Sequence, residues 1–168
     1  MTVIGIDPGL DGYVSLVVGG DTDCQPTPTL RVGKGGKRDY DVAGMRRILL
    51  QWATEMGKPN IAVLEKQQAF PGQGVSSTFS TGRGFGLWEG LVAGLGMPYT
   101  VVHAKTWQAK LLRDIPGDDT KGRSIIAASR LFPGVDLRKT PQCRKPHHGK
   151  ADSLLLAKYG LLFLGEPA

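Results

Sequence analysis

Two apolar runs in this chain stop on an acid. "VIGI" delivers Asp7 into Pro8 and Gly9, and "IAVL" delivers Glu65 just ahead of Lys66. A third acid, Asp152, lies in "HHGKADSLLLAKYG", in the first turn of the last expected helix. Each has an ordinary explanation when taken alone. Asp7 is a turn former, Glu65 a solvated strand end, and Asp152 a good first-turn residue against the helix dipole. Together they suggest more, because acids at the ends of neighbouring strands converge even when far apart in sequence. Like charges held together repel, and burial makes this worse. A divalent ion relieves both problems. Mg²⁺ takes oxygen ligands and keeps waters, so a few carboxylates suffice. A metal pair can activate a water and stabilise the leaving oxygen of a phosphodiester. The expected chemistry is Mg²⁺- or Mn²⁺-dependent phosphodiester hydrolysis with two ions per site. Asp7 and Asp152 would hold metal, and Glu65 would bridge or orient the pair.

Other candidates surround these acids in sequence. His148 precedes Asp152 by four positions and shares its face if the helix begins early enough. It would then bind metal or handle the proton of the attacking water. His147 is the reserve, and a solvated loop histidine is the plain alternative for both. Lys121 opens a helix after "GDDT" and can reach a phosphate or a developing negative charge. Phe70, in "KQQAFPGQGVSS", either stacks on an unpaired base or folds back onto the core. A basic stretch carries Arg138, Lys139, Arg144, Lys145 and Lys150, and an early loop carries Lys34, Lys37 and Arg38. Each such cation set on a phosphate releases counterions and strengthens DNA binding. Arg83 and Lys105 complete the set of expected DNA contacts.

These residues need elements to position them. Residues 2–7 and 12–18 read as strands joined by "PGLDG", with a third strand at 28–32. "RVGKGGKRD" reads as an exposed basic loop. Val42, Met45, Leu49, Trp52 and Met56 recur at helical steps, so 40–56 is the clearest helix. Asp39 or Asp41 can cap it, and Gly57 with Pro59 ends it. "NIAVLE" and "YTVV" are buried strands. Residues 77–95 read as a helix despite Gly82, Gly86, Gly90 and Gly94, four apart. Exposed helical glycine costs ~1 kcal/mol against alanine. The stripe therefore predicts close packing against the sheet or another subunit. Helices follow at 104–112, at 120–131 with Asp118 or Asp119 as cap, and from about 150 to 164. The reading is α/β: a mixed five-stranded sheet flanked by helices, in one domain spanning 1–168.

Bulk composition agrees. Of 168 residues, 40% are apolar and 21% charged, which is globular and not disordered. A net charge of +6 favours a polyanionic partner. Cys24 and Cys143 stand in no metal-ligand spacing, so a reduced protein is expected. No signal-peptide pattern and no run of ~18 apolar residues is present. The expected setting is cytoplasmic, with no membrane partner.

"GIDPGLDG", "VLEKQQAF" and "HHGKADSLLLAKYG", in that order, resemble the RuvC-type Holliday junction resolvases, especially the phage-type branch. "TKGRSIIAASRLFPGVDL" adds to the likeness, which covers nearly the whole chain. The resemblance implies a ribonuclease H-like fold and a DNA-associated homodimer in a bacterial or phage-infected cell. It implies cleavage of opposed strands of a four-way junction, leaving 5′-phosphate and 3′-hydroxyl ends. Asp7, Glu65 and Asp152 would match the metal-binding acids, Lys121 the assisting lysine, and Phe70 the loop that probes the crossover. One departure stands out. Relatives carry an acid or histidine three residues before the last aspartate, where this chain has Gly149. Rival readings are the same chemistry on flaps, forks or three-way junctions, and a non-catalytic junction binder. An actin-like ATP-using fold is set aside because the chain is too short for two domains.

Overall fold

The computed structural model describes residues 1–69 and 71–165. Phe70 lies outside them. The first strand, β1 (Thr2–Ile6), pairs antiparallel with β2 (Tyr13–Val18), which pairs antiparallel with β3 (Asp21–Pro26). On its other side β1 pairs in parallel with β6 (Ile61–Lys66), and β6 with β7 (Tyr99–His103). The result is the expected mixed five-stranded sheet, in the order β3-β2-β1-β6-β7. A separate two-stranded hairpin, β4 (Thr29–Val32) and β5 (Lys37–Tyr40), leads into α1 (Val42–Glu55). The remaining helices are α2 (Val75–Gly94), α3 (Ala104–Leu111), α4 (Thr120–Leu131) and α5 (His148–Phe163).

Strand alternation divides the core between two faces. Val3, Val17 and Val63 face a cluster built on α3, α4 and α5, including Trp107, Ala128 and Leu155. Ile4, Ile6, Leu16 and Leu64 face a second cluster built on α1 and α2, including Met45, Leu49 and Trp88. Asp41 caps α1, accepting from the Gly44 amide at 2.9 Å, and Asp119 caps α4 through Gly122 at 2.7 Å.

The seat of α5 on the sheet is unusually close, and one glycine permits it. A Cβ at Gly5 would overlap the Ser153 carbonyl oxygen and the Ala157 nitrogen. Beside it, the buried Ser15 and Ser153 hydroxyls share a 2.6 Å hydrogen bond. Glycine within a strand commonly marks such a backbone approach. Ser153 is thereby fixed relative to β1, which sets where Asp152, the residue before it, stands. Gly5→Ala should lower stability by about 3 kcal/mol, since the helix must shift to admit one methyl group. A denaturant midpoint unchanged from wild type would contradict this packing.

Three expectations are corrected. Residues 28–32 form a strand, but in the hairpin; the third strand on this side of the main sheet is β3. The basic loop "RVGKGGKRD" is the tip and second arm of that hairpin, with Gly33 and Gly36 at positive φ of 69° and 59°. The Gly82, Gly86, Gly90 and Gly94 stripe does not pack on the sheet. Among the described residues, nothing lies within 4 Å of a Cβ built at any of the four. The packed glycine of α2 is Gly84, where a Cβ would overlap the Tyr40 hydroxyl. Cys24 and Cys143 are both free thiols. Among the described residues no helix is long and apolar enough to cross a membrane.

Candidate active site

The β1–β6 register brings two of the acids together. Ile6 pairs with Leu64, so Asp7 and Glu65 follow at equivalent ends of adjacent parallel strands. Ile6 and Leu64 both face α1 and α2, so the next residue on each strand turns toward the α5 side. There the first turn of α5 supplies Asp152. A tight turn returns the chain after Asp7: its amide donates to the Tyr13 carbonyl at 2.9 Å, and Gly12 donates to the Gly9 carbonyl at 2.9 Å.

The electrostatics register this convergence. Burial pushes the Asp7 carboxyl well above the usual carboxylate range, and the charges of Glu65 and Asp152 push it further. Glu65 rises to about 7, first through burial and then through Asp152. Asp152 rises to about 6 through burial, opposed by the Ser124 hydroxyl and the Lys121 ammonium. The Trp107 indole N–H is buried near Glu65 and favours its charged form, though it makes no hydrogen bond of good geometry. Trp107 and Ser124 were not foreseen, because each reads as an ordinary core residue of its helix.

The donor chemistry fits a hard divalent ion. Three carboxylates offer oxygen ligands, and the buried Asp152 Oδ1 has no hydrogen-bond partner. Among the described residues, no group of three or more His, Cys, Asp and Glu side chains already stands as a ready ligand set. The acids feel one another's charge without forming a closed cage.

The helix α5 starts at His148, so His148 and Asp152 do occupy i and i+4 positions. His148 lines a cleft of about 520 Å³ together with Asp7, Lys37, Tyr40 and Ser80. Burial and the nearby Lys121 hold its imidazole below its ordinary value. His147 stacks on His148, with ring centroids 5.3 Å apart, but lines the neighbouring cleft. Gly149 is packed tightly: a Cβ there would stand 2.8 Å from both Asp7 Oδ2 and the Asp11 carbonyl. An acid or histidine at 149 has no room unless the Asp7 turn moves.

The expected DNA-contacting residues divide into two groups. Several are held by the protein itself. Arg38 donates to Asp11 at 2.7 Å and to the Leu10 carbonyl. Arg83 pairs with Asp39 over the Tyr40 ring. Arg138 pairs with Asp136 at 2.8 Å, and Lys150 donates to the Asp136 carbonyl at 2.7 Å. Others are more open. Lys34, Arg144 and Lys145 are exposed. Lys37 lines the Asp7 cleft, Lys139 the cleft of His147, and Lys105 a third cleft shared with Glu65.

The fold is similar to that of Thermus thermophilus RuvC. Against the complex of that protein with a Holliday junction substrate, the TM-score is 0.62 at 16% identity, covering 98% of this chain and 94% of the other. The fold is the RuvC type. A second Thermus thermophilus RuvC structure gives a TM-score of 0.57 at 16% identity, covering 98% and 95% of the two chains. In sequence, the chain is 31% identical over 134 residues to the chloroplastic Holliday junction resolvase MOC1 of Chlamydomonas reinhardtii. That match covers 74% of this chain but only 14% of the length of that protein. No protein-family model matches the chain. The RuvC-type, ribonuclease H-like fold accounts for the strand order and for the helices on both faces of the sheet.

Proposed function

We propose that the chain is a structure-selective DNA endonuclease that resolves four-way junctions by metal-dependent phosphodiester hydrolysis. The observation that carries this reading is the β1–β6 register, which sets Asp7 and Glu65 at the ends of adjacent strands, where the charges of Glu65 and Asp152 both raise the Asp7 carboxyl. Likeness in fold and sequence to proteins described as Holliday junction resolvases supports the choice of substrate. Asp7, Glu65 and Asp152 would hold Mg²⁺ or Mn²⁺, two ions per site, with His148 at the fourth position. Such ions supply charge stabilisation for the attacking and leaving oxygens of the phosphodiester. The chain's own part is to keep the acids fixed, to orient the scissile phosphate and to shed water from the cleft. Lys121, whose charge is felt by both Asp152 and His148, adds a cation for developing negative charge. His148 takes or positions the proton of the attacking water. Hydrolysis leaves a 5′-phosphate and a 3′-hydroxyl.

Opposed cuts need two sites, so the active species is a homodimer. The open face of α2, with Phe79 72% exposed above the bare Gly82 and Gly86 positions, suits a close helix contact between copies. Phe70 takes the role of probing unpaired bases, and the phage-type branch remains the reading of the sequence motifs.

The test is a labelled synthetic four-way junction beside three-way and linear DNA, in Mg²⁺ and in EDTA. Paired nicks in opposed strands of the four-way junction, only with metal, are expected. Equal cutting of linear DNA would overturn junction selectivity. Tight junction binding without cleavage in Mg²⁺ or Mn²⁺ would make the protein a junction binder.

A further inference from the structure

On the far side of the Asp7 turn lies a second cleft, of about 440 Å³, which no step of the proposed cleavage uses. It shares Leu10, Asp11 and Gly12 with the carboxylate cleft, so the two flank one turn. Three of the residues that line it carry buried side-chain atoms with no hydrogen-bond partner among the described residues: the Tyr13 hydroxyl, the Thr27 hydroxyl and His147 Nδ1. Tyr13 is 2% exposed and Thr27 4%. Their backbones are already satisfied. The Thr27 amide donates to the Gly12 carbonyl at 2.9 Å, and the His147 amide to the Leu137 carbonyl at 2.8 Å. Only the side-chain groups are left over, and a buried polar group left without a partner is destabilising.

The same cleft is lined by Arg31, Arg38 and Lys139. Arg38 is balanced by Asp11, but among the described residues neither Arg31 nor Lys139 forms an ion pair. Two cations outside any ion pair line one cleft together with three residues that carry unsatisfied buried groups capable of donating a hydrogen bond; Arg31 also donates to the Gly36 carbonyl at 2.9 Å. That set matches a tetrahedral oxyanion with several acceptor oxygens. A metal ion does not suit it, because the only carboxylate present is already paired. An apolar ligand would leave the hydroxyls stranded.

We infer that this cleft is a phosphate-binding site formed by Tyr13, Thr27, His147, Arg31 and Lys139. Its ligand is a phosphodiester of the strand whose neighbouring phosphate lies against Asp7. The adjoining turn makes it a positioning subsite, setting which phosphate enters the carboxylate cleft. The assignment of the phosphate to DNA rests on the endonuclease reading; the phosphate chemistry itself does not.

A phosphate scan tests this. Single phosphodiesters of a junction and of a linear duplex are replaced one at a time by neutral methylphosphonates, and affinity is measured in EDTA. Wild type should lose about tenfold in affinity at one or two positions. Tyr13→Phe/Thr27→Val, which keeps the packing, should bind unmodified DNA about tenfold more weakly and lose that position dependence. Lys139→Ala should do the same and also lower the salt slope by about one. A second arm adds inorganic phosphate and follows Tm. A rise in wild type that the double variant lacks supports a phosphate site filled by a free phosphate-bearing ligand when the scan is flat. Identical scans for wild type and variants, with no phosphate-dependent Tm change, overturn the inference, since the hydroxyls then meet only water. Because affinity is read without metal, a chain that binds through this cleft but never cuts would refute only the endonuclease reading.

Discussion

Asp7→Asn is expected to cut four-way junction cleavage by about a thousandfold while leaving junction affinity undiminished. The substitution keeps the shape of the turn and removes the charge that most feels the other two acids. On the proposed reading, binding would draw on cations spread across Lys37, Lys139 and the exposed hairpin tip, so loss of one negative charge would not weaken it. Cleavage would depend on a divalent ion held where Asp7 sits, and an amide oxygen is a poorer ligand for such an ion. Single-turnover cleavage and a filter-binding isotherm on the same labelled junction separate the two effects. Full cleavage by the variant at saturating Mg²⁺ would remove Asp7 from the site.

Much of this site was legible because strand alternation is a simple code. An apolar run that ends on an acid places that acid at a sheet edge, and Asp7 and Glu65 follow that rule. The helix start at Asp152 was legible from its apolar continuation. What could not be read was everything settled by tertiary partners. Arg38 and Arg83 look like free cations in the sequence, yet Asp11 and Asp39 hold them. "DTDCQP" carries almost no strand signal, because β3 is an edge strand paired on one side with mostly half-exposed residues. The sheet-packing reading of the glycine stripe failed for a related reason, while its reading as a contact between copies is untouched. Spacing reveals that four glycines share a face, but only the fold reveals which face is covered. The glycines that matter for packing, Gly5, Gly84 and Gly149, follow no period at all. The Tyr13, Thr27 and His147 cleft was invisible for the same cause, since three distant segments build it.

The acids also predict how the metal-free protein responds to pH. A carboxyl raised in the folded state binds its proton more tightly there than in the unfolded chain. Its stabilising contribution is therefore complete below the unfolded value and is lost as pH rises through the folded one. For Glu65 that window runs from its ordinary 4.5 to about 7, and for Asp152 from 3.8 to about 6. At about 1.4 kcal/mol for each unit of pKa, Glu65 alone accounts for a loss of about 3 kcal/mol between pH 4.5 and pH 8. His147 and His148 act in the opposite sense, since burial lowers both and their contribution falls away as pH drops below the ordinary imidazole value. Comparison with Glu65→Gln removes that carboxyl, and with it the push of its charge on Asp7, while keeping both histidines. In EDTA, urea unfolding of wild type should weaken from pH 4.5 to pH 8 by at least about 3 kcal/mol more than that of Glu65→Gln. Millimolar Mg²⁺ at pH 8 should restore most of the difference in wild type and little in the variant, because an ion bound only by the folded state stabilises it by mass action. Parallel pH profiles for the two proteins would mean that Glu65 titrates as a solvated side chain, and the electrostatic case for a shared ion would fail with it.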